Sequence, residues 1–254
     1  MKNFGLIGYP LSHSFSKKFF SEKFKNEGID AKYTNYEISS INEFSKLFKN
    51  HTIDGLNVTI PYKEAVIPFL DDLDDISSSV GAVNTVVPLF KDGSHILKGF
   101  NTDVYGFHQS IRTLLKSHHQ KALVLGTGGA SKSIEYVLKK YGTTVNFISR
   151  TKNSPTIFSW DELNNNMVKH HGIIVNTTPL GMFPNENLAI PFPYESLTSN
   201  HLVIDLIYNP KETLFLKRSK LNGAQILNGE KMLINQALKS WEIWCQNDNK
   251  FHGI

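Results

Sequence analysis

Apolar positions in the first hundred residues recur in two periods, one typical of strands and one typical of helices. Strands are predicted at 4–7, around Tyr36, at 56–60, at 82–87 and at 96–100, the last two joined by a turn at 91–93. Helical spacing predicts one helix through Phe20 and Phe24 and another through Phe44 and Phe48. Strand, helix, strand and helix followed by a hairpin is typical of an α/β fold with a mostly parallel sheet.

The pattern restarts after a helix predicted at 104–115. Apolar strands are predicted at 122–125, 145–148, 173–175, 202–206 and 225–227, with helical segments between them. The last helix, through Met232 and Trp244, could return to pack on the first part of the chain. We therefore predict two α/β domains, with the boundary in the region of the 104–115 helix.

Composition narrows the class of protein. The chain has 254 residues, of which 40% are hydrophobic and 20% charged, and this excludes disorder. The net charge of +4 is small and scattered, so a nucleic-acid partner is not expected. There is no apolar run of membrane-spanning length and no secretory signal pattern, and Cys245 is the only cysteine. A cytoplasmic protein without a metal site is the expectation.

A glycine-rich turn lies between the strand at 122–125 and the helix that follows it. Gly126 permits a tight turn, and Gly128 lets the backbone approach a pyrophosphate at the helix N-terminus. Ser131 fills the position usually taken by a third glycine. Strand, glycines and helix in succession predict a dinucleotide site, with a ligand-free tight turn as the alternative. The candidate residues here are Gly126, Thr127, Gly128, Gly129 and Ala130.

The end of the next strand distinguishes NAD from NADP. An NAD site usually has an acid about 20 residues beyond the glycines. This chain has Ser149, Arg150 and Thr151 there instead. A guanidinium can bind the 2′-phosphate of NADP, whereas a carboxylate would repel it. The sequence therefore predicts NADP, with a solvated surface cation as the alternative interpretation of Arg150.

Polar side chains in the first half lie within the predicted strands or close to their ends. They are Ser14, Ser16, Asn57, Thr59, Lys63, Asn84 and Asp103. Open α/β sheets bind ligands at the carboxyl ends of their strands. Four of them also have a structural interpretation: the two serines as helix caps, Asn84 as a satisfied core amide, Asp103 as a first-turn carboxylate. Together they suit a small polyhydroxy acid.

These residues belong to motifs that occur in one order along nearly the whole chain. The motifs are Gly8-x-Pro10-x-x-His13-Ser14-x-Ser16, Asn57-Val-Thr59-x-Pro61-x-Lys63, Gly81-Ala-x-Asn84-Thr85, Asn101-Thr102-Asp103, Gly126-x-Gly128-Gly129-Ala130, Ser149-Arg150-Thr151, Asn176-x-Thr178-x-x-Gly181-Met182, Asp205-x-x-Tyr208-x-Pro210 and Met232-Leu233-x-x-Gln236. In this order they resemble the NADP-dependent shikimate dehydrogenase family, whose members reduce 3-dehydroshikimate to shikimate with NADPH.

The resemblance implies a mostly parallel N-terminal substrate domain and a Rossmann-type NADP-binding domain with the active site in the cleft between them. It assigns residues 1–104 and 229–254 to the first and 105–228 to the second. It implies that Lys63 and Asp103 are the catalytic pair, either of which can supply the proton. The implied substrate contacts are Ser14, Ser16, Asn57, Thr59, Asn84, Asp103, Tyr208 and Gln236. To the nucleotide residues named above it adds Thr177, Thr178, Met182 and Gly229.

The chain departs from the family pattern in three places. Ser149 replaces an Asn that is frequent in the family. Glu230 and Lys231 stand where many members have an apolar residue and Gly. The chain is also short for the family. Alternatives are an NAD-dependent quinate/shikimate dehydrogenase, a relative acting on another hydroxy acid, and a non-catalytic ligand-binding relative. A monomer and a homodimer are both compatible with the sequence.

Overall fold

The computed structural model describes residues 1–11, 14–91, 94–152 and 154–248. The chain divides into two compact units, one formed by Met1–Thr102 with Gln236–Ile254 and the other by Asp103–Asn235. The division of function predicted at residues 104 and 229 stays a prediction.

The first unit alternates strands and helices. In chain order it contains β1 (Lys2–Gly8), α1 (Phe15–Glu27), β2 (Ala31–Glu37), α2 (Phe44–Asn50), β3 (Gly55–Val58), β4 (Asp72–Leu73), α3 (Asp75–Val80), β5 (Thr85–Lys91) and β6 (Ser94–Phe100), with short 3-10 helices at Ile41–Glu43 and Ile67–Phe69. Its strands lie in the order β2-β1-β3-β5-β6-β4. The β3–β5 and β5–β6 pairs are antiparallel and the others parallel. Both faces of this sheet carry buried apolar side chains.

The second unit is an all-parallel sheet with helices. The chain continues through α4 (Asp103–Ile111), β7 (Lys121–Leu125), α5 (Gly129–Lys140), β8 (Thr144–Ile148), β9 (Ile157–Phe158), α6 (Asn165–His170), β10 (Ile173–Asn176), β11 (Leu202–Asp205), α7 (Leu214–Leu221), β12 (Gln225–Leu227) and α8 (Glu230–Asp248), with 3-10 helices at Trp160–Glu162 and Tyr194–Ser196. The strand order β12-β11-β10-β7-β8-β9 is that of a doubly wound Rossmann sheet. The order reverses between β7 and β10, where such sheets bind ligands. The predicted fold class is confirmed.

Helix α8 begins in the second unit and ends in the first. Trp244 near its end is buried, lies against the Gly55 backbone and donates its indole N–H to the Val86 carbonyl at 3.3 Å. A side chain at position 55 would collide with this ring, so Gly55 lets the helix dock on β3 and β5. The last helix therefore packs on the first unit, as its periodicity suggested.

Several element ends differ from the predicted ones. Strand β3 ends at Val58 rather than at 60, because the chain turns before Pro61, which has no N–H to continue a ladder. Strand β5 begins at Thr85, not 82, and α4 ends at Ile111, not 115. Residues 92 and 93 of the predicted hairpin turn lie outside the described residues. Among the helices that are described, none is both long and apolar enough to cross a membrane.

Candidate functional site

Two connections bring the polar segments of the first unit to one edge of its sheet. The Tyr9 N–H donates to the Ile60 carbonyl at 3.1 Å, just beyond the carboxyl ends of the parallel strands β1 and β3. The Val83 N–H donates to the Lys63 carbonyl at 2.7 Å. Lys63, which is partly buried, is therefore held beside the residue that precedes Asn84.

Ser14 and Ser16 stand at the start of α1. The Ser14 hydroxyl accepts the Lys17 N–H at 3.4 Å and caps the helix, so the structural interpretation of this serine applies. Ser16 forms a side-chain hydrogen bond with Tyr33. Burial raises the pKa of Tyr33 well above its ordinary value, so its hydroxyl keeps its proton. Ser12 and His13 of the same motif lie outside the described residues.

Asn57, Asn84 and Gln236 form a connected cluster under α8. The Asn57 side-chain amide donates to the backbone carbonyl of Asn84 at 3.2 Å, and the Asn84 side-chain amide donates to Gln236 Oε1 at 3.4 Å. Asn57 and Asn84 are both buried. Both side chains are covered by other residues, so this polar cluster lies within the core. Thr59, one residue beyond β3, is half-buried.

Asp103 and Tyr208 belong to the second unit. Asp103 is the first residue of α4 and is only 4% exposed, although it directly follows the chain segment of the first unit. A carboxylate in a first helical turn is favoured by the helix dipole. Tyr208 is half-buried in the loop after β11.

The glycine turn has the geometry that a dinucleotide needs. Gly126 has φ of +105°, and a Cβ there would meet Thr177 Oγ1 at 2.7 Å, so this position requires glycine. A Cβ added to Gly128 would have no other atom within 4 Å, so there is open space at the N-terminus of α5. Gly129 and Ala130 form the first turn of α5. Ser131 is buried and donates to the Gly128 carbonyl at 2.7 Å, so it fits where a third glycine is usual.

The end of β8 presents a cation beside small hydroxyls. The Thr127 and Ser149 hydroxyls are 3.1 Å apart, and Ser149 Oγ accepts the Thr151 N–H at 3.3 Å. Arg150 is exposed and has no hydrogen-bond or ion-pair partner among the described residues. Lys152 is paired with Glu162 at 2.7 Å. Of these two cations, Arg150 is the one available to an anionic ligand.

A buried carboxylate orders the loops after β10 and β11. Asp205 accepts hydrogen bonds from the Thr213 hydroxyl at 2.6 Å, the Asn176 amide at 2.9 Å and the Ile207 N–H at 3.0 Å. Asn176 in turn accepts the Thr178 hydroxyl at 2.7 Å. Burial nevertheless raises the pKa of the Asp205 carboxyl to about 6, because charging it in the core is costly.

The other predicted nucleotide residues are placed by backbone contacts. Thr177 donates its N–H and its hydroxyl to the Leu125 carbonyl, at 2.9 and 2.8 Å. Met182 is 44% exposed. Gly229 donates to the Ile207 carbonyl at 3.0 Å, and a Cβ there would overlap the Leu206 carbonyl. Gly229 is therefore required by the fold whether or not it contacts a ligand.

Sequence reasoning missed the residues that connect the site. Tyr33, Ser240 and Asp205 were not assigned a role, although all three bond to predicted site residues or to their neighbours. Ser240 had a usable signal, because it lies one helical turn after Gln236 on the same face of α8. Within the described ranges, His, Cys, Asp and Glu side chains form no group of three that could hold a metal ion.

Comparison with known proteins identifies the family to which the chain belongs. The family model of the shikimate dehydrogenase substrate binding domain matches residues 6–86. The shikimate dehydrogenase (NADP(+)) of Methanosphaera stadtmanae is 37% identical over 258 aligned positions, covering 94% of this chain and 90% of the relative. This chain belongs to the shikimate dehydrogenase family. The membership predicted from the ordered motifs is confirmed.

Solved shikimate dehydrogenases share the fold over almost the whole chain. Shikimate dehydrogenase 1 from Peptoclostridium difficile is 36% identical with a TM-score of 0.82, covering 97% of this chain and 92% of that one. The Thermus thermophilus enzyme, solved in complex with NADP(H) and shikimate, is 26% identical with a TM-score of 0.81, covering 97% and 93%. The agreement in fold therefore extends well beyond the 6–86 segment.

The raised pKa of Asp205 predicts a pH-dependent stability difference between the wild type and Asp205→Asn. Between about pH 4 and pH 6 the folded state keeps a proton that the unfolded state has lost, so rising pH costs the wild type stability. A shift from 3.8 to about 6 corresponds to about 3 kcal/mol. Urea unfolding should show the wild type losing this amount relative to the variant across that window, with a constant difference above about pH 7. A difference that is flat from pH 4 to pH 7 would contradict the assignment.

Proposed function

We propose that this protein catalyses the reversible NADPH-dependent reduction of 3-dehydroshikimate to shikimate, a step in the biosynthesis of chorismate and the aromatic amino acids. The observation that carries the proposal is the buried cluster of Asn57, Asn84 and Gln236, in a chain that also has a dinucleotide-type glycine turn and an available Arg150 after the next strand. Buried amides at a strand edge suit a ligand with several hydroxyl groups, since each amide both donates and accepts.

The substrate has a carboxylate, ring hydroxyls and a ketone, and each needs a different partner. Ser14 and Ser16 would bind the carboxylate with Tyr208, as the family resemblance implies. Asn84 and Gln236 would bind ring hydroxyls, while Asn57 and Thr59 line the same edge of the sheet. Because Ser14 already caps α1, its hydroxyl oxygen is fixed in place before a ligand arrives.

Lys63 and Asp103 are the proposed catalytic pair. A bound NADPH supplies the hydride. The Lys63 ammonium would hydrogen-bond the ketone oxygen and stabilise the negative charge that develops there. Asp103 would take part in the proton transfer. The hydrogen bond from Val83 to the Lys63 carbonyl holds the Lys63 backbone in position at the sheet edge.

The second unit fits NADP. The open space over Gly128 lets the pyrophosphate approach the N-terminal N–H groups of α5. Arg150 would bind the 2′-phosphate, with Ser149 and Thr151 as neutral donors beside it. Gly126, Thr127, Gly129, Ala130, Thr177, Thr178, Met182 and Gly229 complete the proposed nucleotide residues. The monomeric or homodimeric state and a cytoplasmic location stay predictions from the sequence.

One assay tests the activity directly. Purified protein should reduce NADP when shikimate is added, measured by the absorbance of the reduced nicotinamide. NAD, run in parallel, should give a much lower kcat/KM, because Arg150 offers nothing to NAD and the chain has no acid in its place. Quinate is run with both nucleotides to test the quinate/shikimate alternative. An equal or greater kcat/KM with NAD and quinate would indicate the quinate/shikimate alternative. No turnover with any combination of substrate and nucleotide would indicate a binding protein.

Substitution Lys63→Ala tests the proposed catalytic role. General acid–base groups contribute about 10²–10⁴-fold, so kcat should fall by that order while the KM for shikimate changes little. Lys98→Ala removes another half-buried lysine of the same unit, one paired with Asp72 at 2.7 Å, and should keep kcat within a few fold. A Lys63→Ala enzyme with near-normal kcat refutes the assignment.

Substitution Arg150→Ala tests cofactor discrimination. Losing charge-assisted hydrogen bonds of about 1.5–3 kcal/mol should raise the KM for NADPH by about 10–100-fold and leave that for NADH unchanged. Lys152→Ala is the matched control, since its ammonium is already paired with Glu162 and a much smaller effect is expected. Equal losses for both nucleotides would rule out a contact between Arg150 and the 2′-phosphate.

A further inference from the structure

Ser240 is a fully buried hydroxyl at the centre of the cluster under α8. Its Oγ lies 2.7 Å from Thr85 Oγ1, 3.0 Å from Asn57 Nδ2 and 3.1 Å from Thr102 Oγ1. Its own proton has an acceptor in the Gln236 carbonyl, 3.0 Å away on the preceding turn of α8. One side chain thus joins β3, β5, the segment before α4, and α8.

The surrounding bonds fix which way both amides point. The backbone carbonyl of Asn84 can only accept, so the side-chain nitrogen of Asn57 must face it. Asn57 Oδ1 then accepts the Tyr33 hydroxyl at 2.7 Å. The Thr102 N–H can only donate, so Asn84 Oδ1 must face it, at 2.7 Å. The nitrogen of Asn84 is therefore directed toward Thr102 Oγ1, at 2.9 Å, and toward Gln236.

Ser240 connects these two oriented amides. It accepts from Asn57 on one side, and through the hydroxyls of Thr85 and Thr102 it reaches Asn84 on the other. We propose that Ser240 is a positioning residue for the substrate site, whose hydroxyl holds Asn57, Thr85 and Thr102 in one arrangement and so fixes the direction of Asn84 and Gln236 toward shikimate. This inference rests on the proposed function.

Removing the hydroxyl should alter binding more than folding. The Asn57 amide and the Thr85 hydroxyl would each lose a close partner and would turn toward remaining ones, and the preferred geometry of the amides would be lost. The change removes one oxygen atom, so the cavity it leaves is small. We therefore expect weaker binding of shikimate and unchanged binding of NADP.

The test compares Ser240→Ala with Ser219→Ala. Ser219 is equally buried, lies in helix α7 and donates to the Phe215 carbonyl four residues earlier at 2.8 Å, as Ser240 does to Gln236. It differs in belonging to the second unit rather than to the first. In Ser240→Ala the KM for shikimate should rise about 5–30-fold with the KM for NADP within twofold of wild type, and Ser219→Ala should change neither.

A second variant removes the same bond from its other end. Thr85→Val preserves the shape of the side chain and should also raise the KM for shikimate. The double variant Ser240→Ala with Thr85→Val should then show less than the product of the two single effects, because both remove one shared contact. If the double variant instead shows the full product of the two single effects on KM, the role of Ser240 is structural only. The same conclusion follows if kcat falls while both KM values are unchanged.

The outcomes separate this inference from the function on which it rests. If the wild type oxidises shikimate and Ser240→Ala keeps a KM for shikimate within twofold of Ser219→Ala, the positioning role is overturned and the function stands. If the wild type neither turns over shikimate nor binds it in a calorimetric titration, both are overturned. Thermal unfolding of each variant shows whether a folded enzyme was measured.

Discussion

The hydrogen bond between Asn57 and Ser240 joins two positions 183 residues apart and links the last helix to the central strands of the first unit. Polar groups buried between a sheet and a helix must find partners in the protein, because water cannot reach them. Here the amide of β3 finds its partner on the last helix. Together with the Trp244 indole that lies on Gly55, this contact allows α8 only one register on the sheet. The same register brings Gln236 to Asn84, so helix docking and site assembly are one event.

In the second unit, backbone geometry and one buried carboxylate hold the loops at the ends of the strands. Gly126 turns with a positive φ so that Thr177 can approach it, and the Thr177 hydroxyl is consumed by the Leu125 carbonyl. The loops after β10 and β11 are held by Asp205. Its three hydrogen bonds offset only part of the cost of burial, as the raised pKa of its carboxyl indicates. A carboxylate is nevertheless suited to this place, because it can accept one donor from the end of β10 and two from the loop after β11 at once.

Local patterns revealed the parts of the site that are local in sequence. The glycine turn could be predicted because strand, turn and helix are consecutive, and Arg150 because it follows the next strand. Ser14 caps α1, so its structural interpretation applies whether or not it also contacts a ligand. Tyr33 could not be found in this way, because its partners come from distant elements. For Ser240 the sequence offers only its spacing of one helical turn from Gln236, which does not reveal its partners on the sheet. Element ends such as that of β3 depend on turns that periodicity does not describe.

The polar cluster is not explained by stability. Replacing both partners of a buried hydrogen bond with apolar groups of the same shape is often nearly neutral, so a core of valine and alanine could hold α8 on this sheet as well. What apolar side chains cannot provide is direction. Two amides and three hydroxyls whose donors and acceptors are matched leave Asn84 and Gln236 with one orientation each, and a ligand rich in hydroxyl groups needs that order before it binds. The cost of burying these groups is therefore best explained by preorganisation of the proposed substrate site.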